Sequence, residues 1–295
     1  MSAPVTDPAA AIERASREVG TWHVAARRLD GPGSFGLRDA EVVPIASAFK
    51  VLLAVEVADA FARGSLWPET RLRVAAEQHC PGGAGLNNFA HPVSISLADL
   101  LYLCLALSDN TASDLLLEQV GLDALHARAE ALGLDTVRVV GSCRTLLRNA
   151  GEDFGYASES DAVAADWAPT TDAADLVPER TARASVADLA RLASLLAREQ
   201  AARPEACRRV LDVMHRQVWT ARFAAAFAAP AWTRASKTGT LAPWRGEAGV
   251  VTRRDGARFA VAVMVRQHRV AIADAVVDAA VAAVARGAVE LALRA

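Results

Sequence analysis

In Ser47-Ala48-Phe49-Lys50 a hydroxyl and an amine stand three residues apart, a spacing that puts both on one face of a helix, the amine within reach of the hydroxyl. A serine hydroxyl is a weak nucleophile near neutral pH. A lysine can be its base if burial and neighbouring positive charge lower its pKa enough to populate the free amine. The following run, Val51-Leu52-Leu53-Ala54-Val55, predicts a helix buried nearly all round, and a lysine there needs a reason. A helix starting at Ser47 also aims backbone N–H groups at a developing oxyanion. Alone, the pair reads more readily as an N-cap serine followed by a surface lysine.

Two further strings change that balance. Ser108-Asp109-Asn110 ends one apolar helix and precedes another, so it belongs on a loop facing a cleft, or caps the second helix, or both. There Ser108 relays a proton to the leaving group, Asn110 bonds a substrate amide and Asp109 holds the loop. Lys237-Thr238-Gly239 precedes the C-terminal strand region. Lys237 supplies positive charge, Thr238 a hydroxyl for a substrate carboxylate, and Gly239 room for close backbone approach. The N–H of Thr240 completes an oxyanion hole with that of Ser47. The ordered set of three strings predicts a serine acyl-transfer site. Arg245 and Arg266 flank the expected substrate strand, as carboxylate clamps or as ordinary surface arginines.

Composition leaves room for such a site and removes other classes. The chain has 295 residues, 53% of them hydrophobic, enough for one large or two interleaved domains. A net charge of −2 gives no basic field for nucleic acid and no anionic-membrane patch. No stretch reaches the roughly 18 apolar residues of a membrane helix. Met1 to Glu18 lacks an apolar signal region, which predicts a cytoplasmic protein. Cys80, Cys104, Cys143 and Cys207 are scattered and read as buried thiols, and the six histidines show no ligand spacing, so no metal or cofactor is expected. The expected partner is a small-molecule substrate, carboxylate-bearing if the Lys237 segment clamps it. Oligomeric state is not legible.

The elements that must position these residues fall into a pattern. Pro8 to Val19 has helical spacing, Thr21 to Leu29 reads as a strand, and a short strand follows through Phe35 to Arg38. Helical periods run through Ser47 to Arg63, Leu97 to Leu107 and Ala112 to Val120. Strands return after Lys237, with Gly249 to Thr252 and Arg258 to Val265 joined at Asp255-Gly256, and a helix over Ala271 to Leu293 closes the chain. This predicts an α+β fold. Residues 1–46 and 235–295 would form a discontinuous antiparallel-sheet domain flanked by the terminal helices, 47–234 an all-helical insertion, and the site their junction.

With these motifs the chain resembles the penicillin-recognising serine hydrolases, and within them the class A β-lactamases and their relatives. The resemblance extends to Pro81 to Gly85 before the helix at Leu97, to Gly121 to Leu125, to Arg180 to Ala190 after the family's omega loop, and to Gly246 to Val251. It implies a β-lactamase/transpeptidase-like fold with Ser47 as nucleophile, Lys50 as base, Ser108 as proton relay, and Lys237, Thr238 and Thr240 as binding groups.

The departures concern release of the acyl group. Class A enzymes carry Glu-x-x-Leu-Asn in the omega loop, whose Glu activates the hydrolytic water. Gly141 to Asn149 contains Leu147-Arg148-Asn149 but no Glu, and the loop-tethering Asn of the family is Asp114. Near 141–180 the loop is extended, and Glu152 to Glu179 is acidic with Phe154, Tyr156 and Trp167 interspersed, a solvated flap or an aromatic lid. Glu152 or Glu159 is a candidate surrogate base, or Lys50 serves both half-reactions. The expectation is a serine hydrolase working through a Ser47 acyl-enzyme on an amide, lactam or ester. The alternatives are a β-lactamase proper and a protein that acylates and stalls.

Overall fold

The computed structural model describes residues 7–295; residues 1–6, the start of the segment read for a signal region, lie outside it. In chain order α1 (Pro8–Glu18), β1 (Gly20–Arg28), β2 (Ser34–Leu37) and β3 (Val42–Pro44) lead into a 3-10 turn, Ala46–Phe49, which runs into α2 (Lys50–Ala62). Next come β4 (Arg71–Val74), β5 (Val93–Ser96), α3 (Leu97–Tyr102) with a π-helical turn at Leu103–Leu107, α4 (Asn110–Val120) and α5 (Leu122–Ala131). The chain continues through α6 (Cys143–Asp153), α7 (Glu159–Ala164), β6 (Arg183–Ser185), α8 (Val186–Ala197), α9 (Pro204–His215) and α10 (Phe223–Ala226). It ends with β7 (Trp232–Leu241), β8 (Trp244–Arg253), β9 (Arg258–Gln267) and α11 (Asp274–Arg294).

The terminal strands form one antiparallel sheet in the order β2-β1-β9-β8-β7. Alternate side chains of its central strands enter two cores. Trp22, Val24, Phe259 and Val261 pack with Val277, Val281 and Val284 of α11, whereas Ala260 meets Leu29 and Ala193 of α8 on the other face. The fold is α+β as expected. The insertion is not all-helical, however: β4 pairs with β5, β6 pairs with β3, and α8 covers the sheet. These ribbons are three or four residues long, too short for a period-2 pattern to show.

Lys50 to Phe61 is buried without interruption in α2, as the apolar run predicted. Two of those residues are acids. Glu56 and Asp59 are met by Arg63, Arg128 and Arg203 at 2.6–3.2 Å. Burial pushes the Asp59 carboxyl up, but Arg128 and Arg203 outweigh it and hold it below its ordinary range. All four cysteines are buried thiols. No helix of the described residues is long and apolar enough to cross a membrane.

Candidate active site

Ser47 sits on the 3-10 turn, and the α-helix begins at Lys50 rather than at Ser47. In a 3-10 turn residues i and i+3 eclipse, so the tighter winding still brings the two side chains to one side. Ala46 before it has φ +45, a left-handed conformation costly for a residue with a Cβ, and Ile45 N–H bonded to Ala182 O at 2.9 Å anchors the turn.

Lys50 is fully buried, and its Nζ donates to Ser108 O and Asn110 Oδ1, both at 2.7 Å, with Asp109 O at 3.4 Å. Three oxygens thus surround the one nitrogen. They converge because Ser108 takes left-handed backbone at φ +67 and the Asp109 carboxylate locks the loop. That carboxylate caps α4 by accepting from Ala112 N at 2.9 Å, and accepts from Leu86 N at 2.7 Å. The amide of Asn110 is occupied at both ends, since its Nδ2 donates to Pro81 O at 2.8 Å.

Lys237 lies within β7, not ahead of the strands as expected, because Thr233 to Ser236 is too polar to read as strand. Its buried amine donates to Ser108 Oγ and to Thr238 O, both at 2.8 Å. Burial and the nearby Lys50 charge push this amine well below the ordinary lysine range. Gly239 earns its place by proximity: a Cβ there would stand 2.4 Å from Ile45 O, so only glycine lets the strand lie against the Ser47 turn.

These groups open on a cavity of about 520 Å³. Ser47, Ser108, Asn110, Thr238, Thr240 and Arg245 line it, with Leu147, Asp166 and Trp167 of the omega-like region opposite. Arg245 is buried and bound to Asp274 and Asp278 of α11. Arg266 is held by Asp175. A residue that sequence reasoning missed is Arg222, also lining the cavity: its guanidinium binds Asp278, Gly239 O, Gly246 O and, at 2.7 Å, Thr240 Oγ1. A lone arginine between Trp219 and Phe223 carries no spacing signal.

Neither glutamate offered as a surrogate base reaches the cavity. Glu152 pairs with Arg180 and Glu159 with Arg144, both on exposed surface. Asp114 takes over the tethering expected of an Asn, accepting from Cys143 N and Arg144 N at the start of α6. The acidic segment is bolted to the sheet and to the turn that follows it, since Asp175 accepts from Trp244 Nε1 of β8 at 2.6 Å and Asp172 from Val270 N, beyond β9, at 2.6 Å. Phe154 and Trp167 are packed in the core.

A sheet edge carrying a buried lysine, set against a serine–lysine turn and a serine loop, defines a serine hydrolase of the acyl-enzyme type. Comparison with known proteins gives the family. The sequence model of the beta-lactamase enzyme family matches residues 7–291, and the chain belongs to that family. It is 34% identical over 261 residues to the beta-lactamase regulatory protein BlaB of Streptomyces cacaoi, covering 83% of this chain and 84% of that one. Among solved structures it resembles a beta-lactamase from Sphaerobacter thermophilus, with TM-score 0.80, 23% identity and 98% of each chain covered. PBP-A is also similar, with TM-score 0.77, 20% identity, and 99% of this chain and 97% of that one covered.

Proposed function

We propose that the protein forms a Ser47 acyl-enzyme with a carboxylate-bearing lactam or amide and releases it slowly. Ser47 Oγ attacks the carbonyl carbon, Lys50 in its free-amine form takes the proton, and the N–H groups of Ser47 and Thr240 receive the oxyanion. The ring nitrogen or amine leaves with a proton relayed by Ser108, which passes on the one Lys50 has taken and so ends as a hydroxyl again, held facing the Lys237 amine. Thr238, Lys237 and Arg222 draw the substrate carboxylate, with Arg245 beside them held by two aspartates; Gly239 lets the strand approach.

The observation that carries slow release is Leu147 on the cavity wall formed by α6, where no glutamate stands. The name of the Streptomyces relative, a regulatory protein, agrees with binding rather than rapid turnover. Asp166 favours some residual hydrolysis, because of the three carboxylates lining the cavity, Asp166, Asp274 and Asp278, it is the one without an arginine partner among the described residues. Intact mass after mixing with a panel of β-lactams and p-nitrophenyl esters tests the reading. A persistent adduct with little product is expected, longer-lived in Asp166→Asn. Opened β-lactam without an adduct would mean a β-lactamase proper, and the absence of both adduct and opened drug would place the substrate outside the β-lactams.

A further inference from the structure

The loop joining α9 to α10 makes one wall of the cavity through Trp219, Thr220, Ala221 and Arg222. Both ends of that wall meet a single carboxylate. Glu247 of β8 is 1% exposed and accepts from Gln217 Nε2 at 2.8 Å where the loop begins and from Phe223 N at 2.9 Å where it ends. Ser236 Oγ of β7 donates to the same carboxylate at 2.6 Å. Gln217 carries the connection onward, because its Oε1 accepts from Thr238 N at 2.9 Å and so occupies the outward N–H of the edge strand. Glu247 also stands directly opposite Thr238 in the β7–β8 register.

Glu247 forms no ion pair among the described residues, so these three donors are its direct partners, with Lys237 and Arg222 near enough to feel its charge. A carboxylate has acceptor sites for all of them, whereas a carboxamide has one oxygen and would bring two N–H groups into a place already crowded with donors. Local packing alone does not call for an acid here. Holding two loop ends and a strand at once does.

We infer that Glu247 is the positioning residue of the active-site wall: it clamps both ends of residues 217–223 and, through Gln217, the Lys237-Thr238-Gly239 strand, and thereby sets the rate of acylation. It touches no reacting atom, and acts through the placement of Arg222 and Lys237 relative to Ser47. The charged and titratable groups around Lys237 are Lys50, Cys104, Glu247 and Arg222, and the Glu247 charge opposes the burial that pushes the Lys237 amine down.

This inference rests on the Ser47 acyl-enzyme reading, so its test has one readout independent of acylation. Glu247→Gln and Gln217→Ala are compared with wild type by amide hydrogen exchange, by thermal melting and by the rate and pH dependence of labelling with a fluorescent penicillin. In a cooperatively melting Glu247→Gln, exchange over 217–223 and at Thr238 should rise, and labelling should slow roughly ten- to hundredfold. Its Lys237-governed limb should move to lower pH, because a negative charge that favours the ammonium is gone. Release of the label should be unchanged. Wild-type exchange protection in both variants, or wild-type labelling in a folded Glu247→Gln, would overturn the inference. Should Glu247→Gln fail to fold, Gln217→Ala is judged by the same criteria. If wild type takes no label, the acyl-enzyme reading with penicillin fails, and exchange over 217–223 still decides whether the clamp exists.

Discussion

Lys50 and Lys237 meet at one residue, Ser108, whose carbonyl faces the first and whose hydroxyl faces the second. Two buried amines so close cannot both carry full charge cheaply, and it is Lys237 that burial and Lys50 push below its ordinary 10.5. The sign of the resulting pH dependence follows directly. Between the lowered value and 10.5 the unfolded chain holds a proton that the folded chain lacks, so stability rises with pH across that window. Lys237→Met removes this dependence. Its stability relative to wild type, measured by denaturant melts at several pH values, should be greatest below the window and decline through it, and a pH-independent difference would contradict the assignment. At Gly239 the relevant force is steric: Gly239→Ala sets a methyl against Ile45 O, pushes β7 from the Ser47 turn and should slow acylation on the order of a hundredfold. Labelling at the wild-type rate would show that the close approach is dispensable.

Secondary elements position these residues through caps and buried charge more than through propensity. Asp114 accepts the first two N–H groups of α6, groups that no intrahelical carbonyl can satisfy, and so fixes the helix that presents Leu147 to the cavity. Asp114→Ala should cost about 1 kcal/mol in a chemical melt and change the lifetime of the acyl adduct more than its formation. The elements with strong periodicity, α1, β1, α2, β9 and α11, were legible within a few residues because each buries a continuous stripe or face. Much of the site was legible too: the structure brings Ser47, Lys50, Ser108, Lys237 and Gly239 to one junction. What sequence could not show depends on contacts between distant segments. Arg222, Asp166 and Glu247 acquire meaning only when α11, the omega-like region and β7 are folded beside them. A linear reading singled out Glu152 and Glu159 and passed over Asp166, and only the course of α6 and α7 turns the two glutamates onto the surface.

At the scale of the whole molecule, the site lies where a sheet built from strands early and late in the chain meets an insertion of helices and short ribbons whose centre is α2. That helix brings Glu56 and Asp59 into the interior, where Arg63, Arg128 and Arg203 compensate them. Removing Arg128 leaves buried carboxylates short of partners, so Arg128→Met should destabilise the protein by about 3 kcal/mol. Because Asp59 is held below its ordinary range, its contribution is present above that range and is lost as pH falls through the lowered value. The acid-side loss of stability should accordingly be shallower in Asp59→Asn. Acylation of Ser47 by the substrate, followed by slow release of the adduct, is read in one time course. Protein is mixed with penicillin G, freed of excess drug, and its intact mass followed alongside Ser47→Ala. One adduct of the drug's mass is expected on wild type, decaying slowly to the starting mass, and none on Ser47→Ala. Equal labelling of Ser47→Ala, or opened penicillin with no adduct on wild type, would contradict it.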